Sequence, residues 1–388
     1  MGQYVALWPG WGYADMPLSY APDDRDGKFA ADGLCSFSIT KPIRLCRRKE
    51  CPMSPCRRLL SCLMLVAGLV SGASSRQALA AGFDITVLGA RGGLEDGNLS
   101  AYMIHPIGDP RAILCDAGTV LHGLQVADQR GALDDTRLPA DATETRPGFV
   151  LHHGIAAYLI SHAHLDHVAG LVLVSPDDSA KSIYALPSVT TVLSRDLFNG
   201  AVWPNNGDIG TPPRLGLYHY QDLAAGQPVT LAHTGLRVTA FPLSHGSVES
   251  TAFLLQSGTD AMLYFGDTGA DAVEHGTRLQ AIWQAVAPLV RAHRLRGIVI
   301  ECSYDDTRPD SQLWGHLSPR WLLRELTALQ DTAHTPLRGM PVLVAHIKPS
   351  LRRDADPLSV IPAELREGNR DLGVNFIVPE QGMRLQWR

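Results

Sequence analysis

Three imidazoles and a carboxylate fall within the six residues His162-Ala163-His164-Leu165-Asp166-His167. The apolar run Ala157-Tyr158-Leu159-Ile160 precedes them. The cluster therefore reads as a turn after a buried strand, where such side chains can converge on metal without a helix. Imidazole nitrogen and carboxylate oxygen are borderline ligands that suit Zn2+ best, with Mn2+ or Fe2+ as lesser matches. Three more candidates end apolar strands: His245 after Thr239–Ser244, Asp267 after Met262–Gly266, and His346 after Val342–Ala345. A lone strand-end histidine is more often a hydrogen-bonded edge residue. Three such ends downstream of one HxHxDH motif point instead to a single metal site.

These residues need strands to carry them. Short apolar runs predict strands at Phe83–Leu88, Ala101–Ile104, Ala112–Asp116, Ala156–Ser161, Thr191–Leu193, Leu236–Leu243, Thr251–Gln256, Met262–Gly266, Ile298–Glu301 and Val342–Ala345. Several end in Asp, His or Glu, which places polar chemistry at strand tips. Helices are expected at Leu279–His293 and Arg320–Gln330, the second with Ser318 as N-cap and Pro319 at the first helical position. Strands first hairpin-like and then interleaved with helices, twice over, predict an α/β (α+β) architecture of two mixed sheets packed face to face with helices outside. No linker divides residues 83–388, and there is no internal repeat.

The motif resembles the metallo-β-lactamase superfamily, which implies a four-layer αββα sandwich holding two Zn2+ ions. On that resemblance His162, His164 and His245 bind one metal, Asp166, His167 and His346 the other, and Asp267 bridges them. A bridging hydroxide would lie between ions about 3.5–4 Å apart. Asp116, in Leu114-Cys115-Asp116-Ala117-Gly118, matches the superfamily's early Asp, which supports the metal loop from behind. The motif continues as Val168-Ala169-Gly170-Leu171-Val172-Leu173-Val174-Ser175-Pro176. That extension is similar to the signature of class II 3′,5′-cyclic-nucleotide phosphodiesterases. Leu197–Asn205, Phe265–Gly269, Ile300–Tyr304, Gly315–Pro319 and His346–Pro349 agree with it in order.

The resemblance implies hydrolysis of cAMP, and of cGMP, to the nucleoside 5′-monophosphate. A phosphodiester needs a nucleophile, charge neutralisation and an acid for the leaving alkoxide. Metals supply the first two, and a Glu301–His316 pair is suited to the third, the carboxylate orienting the imidazole and raising its proton affinity. The candidate catalytic residues are His316, Glu301 and the ligand Asp166; His316 could also serve only to cap a loop. Candidate substrate contacts are Asn98, Trp203, Asn205 and Lys348. Asn98 sits in the Gly-rich stretch Gly92–Ser100, which could line a pocket or form a hairpin turn. Trp203 and Asn205 either stack on and hydrogen-bond a purine or fill a Pro-containing loop. Lys348 either touches phosphate or lies on the surface. The other nine of the 15 histidines are read as structural or exposed, with His153 as the first exception.

Five of the 7 cysteines precede residue 63, but Cys46, Cys51 and Cys56 have no CxxC pairing or partner histidines, so no zinc module is expected there. Cys115 and Cys302 are expected as buried free thiols. Met53–Arg58 is a short basic stretch, Leu59–Val70 an apolar run too short to span a bilayer, and Ala78-Leu79-Ala80 a small-x-small cleavage site. Residues 53–80 thus predict a signal peptide, with the mature chain, 81–388, periplasmic or secreted. Residues 1–52 read as a non-native upstream extension. Cys62 lies ahead of the apolar run, so lipidation is not expected.

Past Ala81 the chain has 24 Lys and Arg against 33 Asp and Glu, a net charge near −9. That field disfavours an RNA polymer and suits a small, singly charged substrate. The expected partner is a small cyclic nucleotide, with no stable membrane association and with a homodimer compatible. Rival readings are a ribonuclease Z-like phosphodiesterase, a lactone or β-lactam hydrolase, and a non-catalytic zinc binder.

Overall fold

Successive residues of a strand point to opposite faces, and that alternation sorts the apolar residues of this chain into layers. The computed structural model describes residues 82–388; the upstream extension, the leader and the cleavage point lie outside the described residues. The strands are β1 (Phe83–Gly89), β2 (Ala101–Pro106), β3 (Ala112–Cys115), β4 (Ile155–Leu159), β5 (Lys181–Ala185), β6 (Tyr218–Asp222), β7 (Pro228–Thr230), β8 (Arg237–His245), β9 (Val248–Ser257), β10 (Asp260–Phe265), β11 (Leu295–Glu301), β12 (Pro341–Ala345), β13 (Asn375–Ile377) and β14 (Arg384–Trp387). The helices are α1 (Leu121–Gln129), α2 (Arg146–Phe149), α3 (Leu165–Val174), α4 (Pro187–Val192), α5 (Asp271–Glu274), α6 (Arg278–Arg291), α7 (Pro319–Ala333) and α8 (Pro357–Gly368).

Two seven-stranded sheets form, in the orders β14-β1-β2-β3-β4-β5-β6 and β13-β12-β11-β10-β9-β8-β7. On β10, Tyr264 faces the first sheet and meets Tyr102 of β2 with ring centres 5.6 Å apart. Its neighbour Phe265 faces the other way and meets Trp283 of α6 at 5.5 Å. Val299 and Leu343 join the inter-sheet core, while Ile298, Ile300, Val342 and Val344 pack outward beneath Leu322, Leu326 and Leu329 of α7. Leu124 of α1, Val168 and Leu171 of α3 and Val189 of α4 belong to the core of the first sheet. This is the expected four-layer αββα metallo-β-lactamase sandwich.

Strands β3 to β6 run parallel, as do β10 to β13. Parallel neighbours need a crossover, here mostly helical, so their carboxyl ends share one edge of each sheet. The segments just beyond β3, β4, β10, β11 and β12 therefore gather at that edge.

Three sequence expectations change. Thr191–Leu193 is not a strand but the end of α4 and the start of a wider helical turn, Leu193–Leu197. Pro187 sits at the first helical position with Leu186 extended before it, and Thr191 back-bonds to Pro187 O, so start chemistry outweighed β-branching. The strand in this region is β5, whose lysine and serine masked it. The metal motif is not wholly a turn, because α3 begins at Leu165 and places Asp166 and His167 in its first turn. Ser318 is at the N-cap of α7, yet its hydroxyl donates to Asp306, and Asp306 Oδ1 caps Arg320 N at 2.9 Å. Cys115 and Cys302 are buried and free, as expected. His275 and His334 close α5 and α7 in the left-handed conformation, a structural use of histidine. No helix among the described residues is long and apolar enough to cross a membrane.

Candidate metal centre

Seven side chains from both sheets meet at the shared strand edge. His162 and His164 follow β4, Asp166 and His167 open α3, His245 ends β8, Asp267 follows β10, and His346 follows β12. They fall into two quartets that share Asp267: His162, His164 and His245 on one side, Asp166, His167 and His346 on the other. Asp267 Oδ2 lies 3.7 Å from both His162 Nε2 and His245 Nε2. Its Oδ1 lies 3.2 Å from His167 Nε2 and 3.3 Å from His346 Nε2. Asp166 Oδ2 is 3.2 Å from His346 Nε2, and His164 Nδ1 is 3.0 Å from His162 Nε2. His164 is the exposed member.

Proton bookkeeping fixes which nitrogen each ring offers. Asp116 can only accept, so His167 Nδ1, 2.8 Å away, carries a proton and leaves the Nε2 lone pair for a cation. Ser161 Oγ donates to Asp116 and so accepts from His162 Nδ1 at 3.1 Å. Gly315 O accepts from His245 Nδ1 at 2.8 Å. Ser303 Oγ donates to Glu301 and accepts from His346 Nδ1 at 2.9 Å. Four imidazoles can thus offer an Nε2 lone pair inward to a cation. Asp116 and His346 both adopt left-handed backbone, φ 53 and 59, which a residue with a side chain holds only when its surroundings dictate it.

The donor set fits divalent cations. Ligands about 2.0–2.1 Å from a tetrahedral Zn2+ stand about 3.3–3.4 Å apart, and the nitrogen–oxygen separations at Asp267 Oδ1, 3.2 and 3.3 Å, match that spacing. His167 Nε2 and Asp267 Oδ1 are buried without a hydrogen-bond partner, an expensive arrangement unless a cation takes both. Burial, joined by His167, drives the proton affinity of His162 well down. Burial disfavours the Asp267 charge, but His346 and His167 outweigh it and keep the carboxylate ionised. The same opposition holds at Asp166, where His346 and His167 prevail over burial.

A carboxylate–imidazole pair stands beside the quartets. Glu301, at the end of β11, holds His316 Nδ1 at 2.8 Å through Oε1. Thr268 N, Ser303 Oγ and Leu317 N also donate to that carboxylate. Burial would raise the pKa of Glu301, yet His316 brings it down. Burial likewise works against charge on His316, and Glu301 with Asp267 raises its proton affinity. Among the described residues His316 Nε2 takes no hydrogen bond. His316 Nδ1 is 3.8 Å from Asp267 Oδ2, so the Glu301–His316 pair and the two quartets form one site.

Residues 83–382 match the family model described as cAMP phosphodiesterases class-II. The chain belongs to the class-II cAMP phosphodiesterase family. It is 44% identical to a 3′,5′-cyclic-nucleotide phosphodiesterase of Aliivibrio fischeri, covering 79% of this chain and 93% of that protein. A probable 3′,5′-cyclic-nucleotide phosphodiesterase of Yersinia pestis is 41% identical, with 78% and 88% covered. The crystal structure of unliganded yeast PDE1 superposes with TM-score 0.69 at 24% identity, over 80% of this chain and 100% of that one.

The suggested substrate contacts of this class-II chain scatter. Asn98 Oδ1 accepts from Ala90 N and its Nδ2 donates to Glu95, which makes it a turn residue. Asn205 is 2% exposed, and its amide is committed to Ile209 O, Thr211 O and Gly207 N. That places it as the frame of its own loop and corrects the base contact expected of it. Trp203 is half-buried and donates its indole N–H to Ser175 at the end of α3. Lys348 alone borders the centre, its Nζ 5.7 Å from the Tyr304 ring. Sequence reasoning overlooked Ser303 and Ser161 as holders of ligand rings, although each lies within two residues of a flagged side chain.

The Gly-rich stretch acts through its glycines instead. Gly93 N donates to Asp166 Oδ2 at 2.8 Å. A Cβ on Gly92 would stand 2.2 Å from the His346 ring. Outside the centre, His152 and His153 share Glu144 at 2.6 and 3.0 Å, and Asp177 O occupies the other His152 nitrogen. The Gly92→Ala substitution is expected to push His346 aside and weaken metal retention about tenfold or more. Metal analysis after dialysis, with circular dichroism unchanged, checks this; full retention would mean His346 is not a ligand.

Proposed function

We propose that this protein hydrolyses 3′,5′-cyclic nucleotides, cAMP and cGMP, to nucleoside 5′-monophosphates with two bound divalent cations, Zn2+ by donor type. The carrying observation is the Glu301–His316 pair, 2.8 Å apart and buried against the shared ligand Asp267. Ligand quartets alone would serve any hydrolase of this fold, but a held imidazole with a free Nε2 suits a poor leaving group such as an alkoxide. Membership of a family named for cAMP, and relatives named for 3′,5′-cyclic nucleotides, support the substrate class.

Cations in the two quartets would lower the pKa of an attacking water and neutralise charge on the phosphate oxygens. The chain's own residues do the rest. Asp267 spans both quartets and sets their separation. Asp116, Ser161, Gly315 and Ser303 fix ring orientation, so nothing reorganises during reaction. Glu301 accepts a hydrogen bond from the Nδ1–H of His316 and stabilises the ring when it is charged. His316 Nε2 then gives its proton to the departing O3′. The net charge near −9 past Ala81 favours a small substrate over a nucleic acid.

The same reading includes export. The basic Arg57-Arg58 stretch, apolar Leu59–Val70 and Ala78-Leu79-Ala80 support a periplasmic or secreted enzyme acting on extracellular cyclic nucleotide.

Protein stripped with EDTA is expected to lose cAMP and cGMP turnover and regain it with Zn2+; no turnover of either after restoration would sink the assignment. The His316→Ala variant is expected to lose about 10²–10⁴-fold on cAMP and far less on a diester with a nitrophenolate leaving group. Equal losses on both would remove the acid role. N-terminal sequencing of extracytoplasmic protein is expected to start near Ala81, and a start at Met1 would contradict export.

A further inference from the structure

Trp314 is 64% exposed, although large apolar side chains favour the interior. Its backbone is left-handed, φ 48, a conformation that costs a bulky residue energy. The two residues after it belong to the metal centre: Gly315 O orients His245, and His316 is the acid. Trp314 is therefore fixed in space relative to the reacting groups, and its indole is left open.

The indole is not isolated. Tyr304 presents an edge-on contact to Trp314 at 6.2 Å and to His316 at 5.6 Å between ring centres. The Arg308 guanidinium lies 3.8 Å over the Tyr304 ring and 5.2 Å from that of Trp314. Lys348 Nζ is 5.7 Å from the Tyr304 ring. An aromatic and cationic wall thus rises beside the acid, held by packing and by cation–π contact.

We propose that Trp314, backed by Tyr304 and Arg308, is the platform on which the purine of the substrate stacks. The inference rests on the proposed cyclic-nucleotide activity. With O3′ at His316, the ribose occupies the mouth of the site, and the base leaves it past the residues that flank His316. Every purine has a π-face, so an indole platform accepts adenine and guanine alike. Trp203, whose N–H is tied to Ser175 just after α3, leaves this task to Trp314.

The metal-loaded full chain carries the test, as wild type, Trp314→Ala and Trp314→Phe, with affinity measured for AMP, GMP and ribose 5-phosphate. Ribose 5-phosphate keeps the phosphate and sugar but lacks the base. Trp314→Ala is expected to weaken AMP and GMP by about 5- to 100-fold, and Trp314→Phe by under about threefold, from the usual strength of base–aromatic stacking. Ribose 5-phosphate is expected to bind all three proteins equally. Unchanged AMP affinity in Trp314→Ala, a parallel loss on ribose 5-phosphate, or equal wild-type affinity for AMP and ribose 5-phosphate would overturn the platform. Absence of cAMP turnover by wild type counts against the parent activity instead, and the affinity comparison still decides the platform.

Discussion

Asp267 is the constraint on which the site depends. It is a fully buried carboxylate whose two oxygens face two separate groups of imidazoles, and one oxygen has no hydrogen-bond partner. A buried anion is tolerated only when positive charge is brought to it. Here His346 and His167 lie against it, and the same ring of donors could hold a divalent cation, so the ligand layout and the burial of Asp267 have one cause. Both sheets must stay in register for this to work, because Asp267 comes from the second sheet and His162 and His167 from the first.

The supporting shell does more than hold rings still. Each backing group accepts from Nδ1, so each ring is left with a bare Nε2. Asp116 organises three partners at once: His167, Ser161 and Tyr264, whose hydroxyl donates to it from across the inter-sheet core at 2.7 Å. Tyr264 also packs on Tyr102 in that core, so the hydrophobic contact between the sheets and the tautomer of a metal ligand are mechanically linked. Ser303 plays a similar double part, joining His346 to Glu301 through one hydroxyl. The quartets and the Glu301–His316 pair are thereby built as one hydrogen-bonded unit.

That union explains why the fold alone is a poor guide to chemistry. Two metal quartets can attack many electrophiles. What sets this site apart from the bare ligand quartets is a buried imidazole held 2.8 Å from Glu301 beside Asp267.

The sequence by itself singled out the seven side chains that converge, because metal chemistry demands particular atoms and the HxHxDH spacing with three strand-tip residues has few other uses. It also made the pairing of Glu301 with His316 and the layered architecture legible, through strand alternation and the resemblance that the motif's extension carries. It misjudged what depends on local competition. The helix at Pro187–Val192 was hidden by β-branched residues, and the polar strand Lys181–Ala185 by its lysine and serine. Only the tertiary structure decided which polar residues reach the site. Asn98 and Asn205 have the right chemistry but spend their hydrogen bonds on their own loops, whereas Ser303 and Gly92 meet His346 through long-range packing. Hydrogen-bond capacity is finite, and which partner claims it is set by the assembled fold.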